Sequence, residues 1–358
     1  MYGGFGAATR AVARGLAQRG IEAYVIMTRR PEQKPVEVID GVTVIGYPGK
    51  NYTNPLRSLK YSALFKWINA DIYHSEEPSM GTFLARMGAP DKKHVVTFRD
   101  PRRLDEHKAE WIEAGYHGMA LARNEWRYRT SYEYVKWAAR RADAKFAAAK
   151  VVIPRAVDLY GLKTPPEFLP TPIEVPARTM QKSSTPVVSY LARFDPRKRP
   201  EMFFELARHF PEVEFIAMGA CQPHFKARDA KLRKEYGSIP NLRLPGVVLG
   251  EEKSRILEKS WVLVNTSWRE GLPLSYVEAA AHQCALLSGL NPDNFSSEFG
   301  YWSQEDSVEG LKEGLTCLLE NNLWRTKGQL GQAYVKETFA FDEAIDRHIA
   351  AYQALLAR

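Results

Sequence analysis

Short apolar runs recur along the second half of this chain, each separated from the next by enough residues for one helix. Residues 186–191, 213–218, 241–245, 261–264 and 284–288 read as buried strands. The stretches 199–208, 223–236, 251–259, 275–282, 306–320 and 324–338 read as helices. Parallel strands need a crossover of a dozen or more residues, and a helix is the usual way to make one. The alternation therefore predicts an α/β fold with a doubly wound parallel sheet. The first half repeats it less regularly. A helix is expected over 7–19, with Val12 and Leu16 on its apolar side, then a buried strand over 21–27. Residues 36–47 alternate around Asp40-Gly41, the signature of a hairpin. Helices over 56–68, 78–87 and 125–142 and strands near 71–74, 94–98 and 144–153 complete that half. Residues 101–123 carry many charges and no period, and read as a long active-site loop with some helix.

At 358 residues the chain has room for about two domains. Five prolines between residues 164 and 180 suit a semi-rigid linker between them. The expected division is 1–170, 180–338 and a last helix in 339–358. No run of eighteen apolar residues exists, and the three cysteines, Cys221, Cys284 and Cys317, are scattered and odd in number. The expectation is a protein with no leader and no membrane span, in a reducing, cytoplasmic compartment. Cys221 and His224 are too few for zinc, so no metal is expected. Charge is uneven: residues 1–176 hold 27 Lys and Arg against 19 Asp and Glu, whereas 177–358 hold 23 of each. A basic first half favours an anionic acceptor or peripheral contact with an anionic membrane face, although a solubilising surface accounts for it equally well.

Two segments carry the chemistry. Glu270 and Glu278, separated by seven residues, lie where an apolar run gives way to an Ala-rich helix. A strand, a tight turn and a helix N-terminus form an anion site, since unpaired N–H groups and the helix dipole meet there. Carboxylates flanking it can accept hydroxyls of a sugar or ribose. Upstream, Arg193 and Lys198 also follow a strand-like run and could neutralise a diphosphate. Structural explanations compete: Ser275–Glu278 and Ser267–Glu270 each fit a helix capping box, and the Arg/Lys turn alone could be a solvated surface. The interposed Gly271-Leu272-Pro273 fits a ligand turn better, and one bound nucleotide-sugar would explain both segments.

On these residues the chain resembles retaining glycosyltransferases of the GT-B type, family 4 and group 1, which include sucrose, trehalose and mannose transferases. Tyr2-Gly3-Gly4-Phe5-Gly6 resembles that family's glycine loop, Asp71 to Glu76 its "DvvHaH" strand end, and Val95 to Asp100 its "vvTxHD" segment. Phe168 to Glu174 resembles the entry to its interdomain linker. Arg99 and Glu76 stand where the family has histidines, and the glycine loop begins at residue 2 rather than after a first strand. The favoured expectation is an incorrectly placed start, the alternative a first domain without its central strand.

The resemblance implies two Rossmann-like domains with a cleft between them. The first would bind the acceptor and the second the nucleotide-sugar, and the last helix would cross back onto the first. It implies catalysis by Arg193, Lys198 and Glu270, with Glu278 on the ribose. Donor contacts would come from Gly271, Leu272, Leu274, Gly219, Val247, Val248, Gly3 and Gly4. His74, Arg99 and Asp100 are candidates for the cleft, although a histidine satisfied within the fold would look the same. No cofactor is implied beyond the nucleotide-diphosphate sugar, and the acceptor would be a glycan, lipid or small molecule. An epimerase or phosphorylase on the same fold, or a non-catalytic polyanion-binding protein, remains the alternative.

Overall fold

The computed structural model describes residues 3–29, 32–47 and 58–358. Tyr2 of the glycine loop and residues 56–57 of the expected second helix lie outside them. The chain divides into two compact units, residues 1–172 with 341–358, and residues 173–340.

The second unit is built on six parallel strands: β8 (Val187–Leu191), β9 (Glu214–Met218), β10 (Leu242–Gly246), β11 (Val262–Asn265), β12 (Ala285–Ser288) and β13 (Gly300–Trp302). Their spatial order is β10-β9-β8-β11-β12-β13. The chain thus winds outward one way from β8, then returns to β8's other side with β11, which makes the β8/β11 junction the switch point of the sheet. The crossovers are α7 (Pro200–Arg208), α8 (Lys226–Tyr236), α9 (Gly250–Lys259) and α10 (Leu274–Ala281), with α11 (Phe295–Glu298), α12 (Val308–Leu319) and α13 (Leu323–Thr338) beyond. Tyr190, Phe194, Phe203, Phe204, Phe215 and Trp324 are almost wholly buried in its core. Fully burying such side chains contributes about 1.5–3 kcal/mol each. β13 and α11 were not expected, because three- and four-residue elements are too short to write a period.

The first unit holds two sheets. β1 (Tyr24–Thr28) pairs in parallel with β3 (Val42–Tyr47), which pairs antiparallel with β2 (Val36–Ile39). The β2–β3 turn places both Asp40 (φ 53) and Gly41 (φ 80) in the left-handed region, as a two-residue primed turn requires. β4 (Ile72–Ser75), β5 (Lys93–Phe98), β6 (Ala144–Ala147) and β7 (Glu167–Phe168) form a parallel four-stranded sheet. β7 lies in the proline-rich stretch read as linker, so the start of that stretch belongs to a sheet; the change of unit falls between Pro172 and Ile173.

Helices α1 (Gly4–Gln18), α2 (Ser62–Ile68), α3 (Met80–Gly88), α4 (Leu104–Glu113), α5 (Gly118–Arg140) and α6 (Ile153–Tyr160) belong to this unit, and α14 (Phe341–Leu356) packs against α1. The loop expected over 101–123 is mostly helix. α4 buries no residue, so it carries no apolar period, yet Glu106 accepts the Arg103 backbone N–H at 2.7 Å and acids open its first turn. Among the described residues no helix is long and apolar enough to cross a membrane.

Candidate functional site

Arg193 and Lys198 leave the carboxyl end of β8, and Glu270 follows β11 across the switch point. Neighbouring strands bring the two loops into contact. Lys198 forms an ion pair with Glu270, both largely buried, and the Trp268 backbone N–H donates to the Arg197 carbonyl at 3.3 Å. Thr266 Oγ1 donates to the carbonyls of Lys198 (2.7 Å) and Arg199 (2.8 Å), and Tyr190 Oη to that of Lys198 (3.0 Å). Burial pushes the Lys198 ammonium down and Glu270 works against that push; the net shift is downward. Burial would raise the Glu270 carboxyl, but Lys198 and then Arg197 outweigh it and hold the group below the usual carboxylate range. Arg193 Nε lies 3.0 Å from Asp195 and its side chain is about one-third exposed.

Gly271, Leu272 and Pro273 lead from Glu270 into α10. That helix starts at Leu274 with Pro273 as its N-cap and no side-chain cap. Neither capping box forms, because Ser275 already lies inside the helix and no helix follows Ser267. Glu278 instead accepts from Lys253 Nζ on α9 at 2.6 Å. Gly219 closes β9, where a Cβ would lie 1.9 Å from the Ala192 carbonyl oxygen, so backbone packing alone requires glycine there. After β10, Val247 is 43% exposed and Val248 is buried. Gly3 caps α1 and Gly4 opens it, with open space around Gly3.

His74, Arg99 and Asp100 form a separate set at the carboxyl ends of β4 and β5. Both His74 ring nitrogens are engaged, Nδ1 with Tyr352 Oη (2.6 Å) and Nε2 with Thr97 Oγ1 (2.7 Å). Burial pushes its pKa down to about 4, and the neutral ring ties α14 to the sheet. Both ring nitrogens are thus engaged, as in a histidine satisfied within the fold. Arg99 forms an ion pair with Glu76 and donates from Nη1 to Thr171 Oγ1 at 2.6 Å. The two positions that depart from the family pattern are therefore partners. Asp100 accepts from Arg102 Nε at 2.8 Å. Arg99 and Asp100 are buried, and their named partners lie within the first unit.

Sequence reasoning missed Lys253, Arg199 and Glu77. Arg199 spans Thr266 O (2.7 Å) and both carboxylate oxygens of Asp306 (2.8 and 2.6 Å), bracing the loop that carries Lys198. Glu77 accepts the backbone N–H groups of Arg99 (2.7 Å) and Asp100 (3.1 Å), while burial raises its pKa to about 7. Nothing local marks these partners, which lie 22 to 107 residues away.

Residues 2–175 match Glycosyltransferase Family 4, and residues 174–334 match Glycosyl transferases group 1. The chain is a GT-B glycosyltransferase of that family. Solved structures bear out the fold of this glycosyltransferase. Sucrose-phosphate synthase from Thermosynechococcus elongatus is similar at a TM-score of 0.79 and 16% identity, over 99% of this chain and 94% of that one. HepE from Anabaena, solved with UDP and glucose, is similar at 0.73 and 14%, over 98% and 96%. TarM from S. aureus is similar at 0.63 and 14%, over 83% and 59%. No curated protein matches the chain in sequence.

Proposed function

We propose that the enzyme moves a sugar from a nucleotide-diphosphate sugar to a hydroxyl-bearing glycan, lipid or small-molecule acceptor, with retention of anomeric configuration. The observation that carries this reading is the buried Lys198–Glu270 ion pair at the β8/β11 switch point, beside the N-terminus of α10, which no side chain caps, with Arg193 on the same β8 loop. In the reaction the bond from the anomeric carbon to the phosphate oxygen breaks and the acceptor oxygen bonds on the same face. The acceptor's proton passes to the departing phosphate.

Arg193 and Lys198 stabilise the charge that grows on that phosphate, the change on which electrostatic catalysis acts most strongly. Lys198 also orients Glu270, which holds a hydroxyl of the donor sugar. Glu278 takes the ribose, and Lys253 keeps its carboxylate in place. Gly271, Leu272 and Leu274 supply backbone around the diphosphate. Val247 and Val248 line the base, Gly219 lies near the nucleotide, and Gly3 and Gly4 approach the phosphate or acceptor. The reading calls on no metal or further cofactor and takes the enzyme as cytoplasmic; the basic first half favours an anionic acceptor.

A thermal-shift screen against a panel of nucleotide-sugars tests the reading, beginning with UDP-glucose because HepE has been solved with that ligand. One donor class should raise the melting temperature of the wild type and not of Glu270→Ala. A panel that stabilises neither protein rejects the donor site. Epimerisation of a bound donor in the absence of any acceptor rejects transfer.

A further inference from the structure

The helix α5 and the turn before it concentrate exposed apolar side chains that no part of the donor site uses. Ile112 (46% exposed), Tyr116 (42%) and Met119 (90%) stand at the α4–α5 turn, and Trp126 (65%), Tyr134 and Trp137 follow along α5. Exposed apolar residues scattered singly are ordinary. These are not scattered: at about 100° per residue, Met119, Trp126 and Trp137 fall within about 20° of one another. Val135, Ala138 and Ala139 are buried, on the opposite side of the helix. Over its 18 residue steps the stripe runs about 27 Å.

Arg123 lies about 40° from the stripe and Arg127 on its flank, about 80° away; both are exposed, with no partner among the described residues. Their neighbours differ: Arg129 and Lys108 both pair with Glu125, at 2.8 and 2.9 Å. Arg141 stacks its guanidinium on Trp137, 4.6 Å from the ring centroid. Glu133 sits at the stripe's edge. Tryptophan rings flanked by arginines suit the headgroup layer of a bilayer, where an amphipathic ring and a cation are both accommodated. A second copy of the chain fits less well, because a self-complementary contact would set unpaired arginines against each other. The half of the chain that carries this helix also holds all of its excess positive charge.

We propose that the outer face of α5, with the Tyr116–Met119 turn, docks on an anionic lipid surface with the helix lying in the plane of the headgroups. The donor reaction is not part of this claim, which concerns only where the enzyme rests.

Flotation of the full chain with vesicles tests it. One set holds phosphatidylcholine with about one-third phosphatidylglycerol; the other is phosphatidylcholine alone. The chain should float with the anionic set only and be released by salt. Arg123→Glu with Arg127→Glu should weaken binding by about 30-fold or more, and Met119→Ser with Trp126→Ser should weaken it while keeping the salt dependence. Both double variants should keep the wild-type thermal shift with UDP-glucose, or with whichever nucleotide-sugar stabilises the wild type, which separates lost docking from lost folding. The proposal is overturned if the wild type ignores anionic vesicles or if either double variant binds as the wild type does. A dimer seen by sedimentation that the variants dissociate, without vesicle binding, overturns it as well.

Discussion

Each unit buries an ion pair that joins the ends of neighbouring parallel strands, and these two pairs are almost equally hidden. Arg99 and Glu76 are 7% and 13% exposed, Lys198 and Glu270 13% and 10%. Burial therefore does not distinguish them; their surroundings do. The Arg99 pair follows β4 and β5 and is closed off by its own unit. Thr171 takes a third guanidinium N–H, Glu77 holds the backbone N–H groups of Arg99 and Asp100, and His74 fills in beside it. The Lys198 pair lies where the strand order reverses, next to a helix that starts without a side-chain cap and the loop bearing Arg193, whose side chain is about one-third exposed. One pair completes a fold, and the other stands where an anion can be met.

If that contrast holds, substitutions on the two sides should fail in different ways. The largest effect is expected from Arg99→Met. Leaving Glu76 buried and alone should destabilise the first unit by about 3–5 kcal/mol, read as a shift in the urea midpoint, and adding Glu76→Leu should restore most of it. Loss of donor affinity in Arg99→Met without loss of stability would break the contrast. Arg193→Ala is next, with turnover down about 10²–10³-fold. Its melting temperature should stay near wild type, since the Arg193 side chain is about one-third exposed and the buried Asp195 keeps the Gln222 backbone and side-chain N–H groups at 3.1 and 2.8 Å.

Within the first unit, acid should act through two buried groups of opposite sign. The His74 ring titrates near pH 4 in the fold against 6.5 unfolded, so the unfolded chain binds more protons between those values. Its contribution is fully present above pH 6.5 and is lost as pH falls toward 4, roughly 3 kcal/mol in all. Glu77 has the opposite sign. Raised to about 7 from 4.5, its carboxyl favours folding most below 4.5 and loses that contribution as pH rises to 7. His74→Gln should flatten the acid loss and Glu77→Gln steepen it in a melting-temperature profile; the reverse slopes would reject the assignment. The smallest effect is expected from Glu278→Gln, with stability within about 1 kcal/mol of wild type. Its KM for the donor should rise about tenfold, and an unchanged KM would leave the Lys253 pair purely structural.

Most strands and helices of the second unit were legible along the chain because they are long enough to repeat an apolar pattern and rest on the core. α4 was not, since a helix that buries nothing has no reason to write one. β7 and β13 were too short. The capping boxes show the converse failure. Ser-x-x-Glu fits locally twice, but Pro273 fixes where α10 begins and leaves Ser275 inside it. Arg193, Lys198 and Glu270 could be singled out because each follows a strand, and Glu278 because it lies in the helix that comes next, which is local information.

The chain by itself determined most of its elements, its α/β class and which charged residues end its strands, for these depend on neighbours a few positions away. Only the tertiary structure decided the partners: Glu76 with Arg99, Lys198 with Glu270, Lys253 with Glu278, Arg199 with Asp306. Strand order sets which loops touch, and it follows from how the whole sheet buries its faces. No single stretch of residues encodes that order.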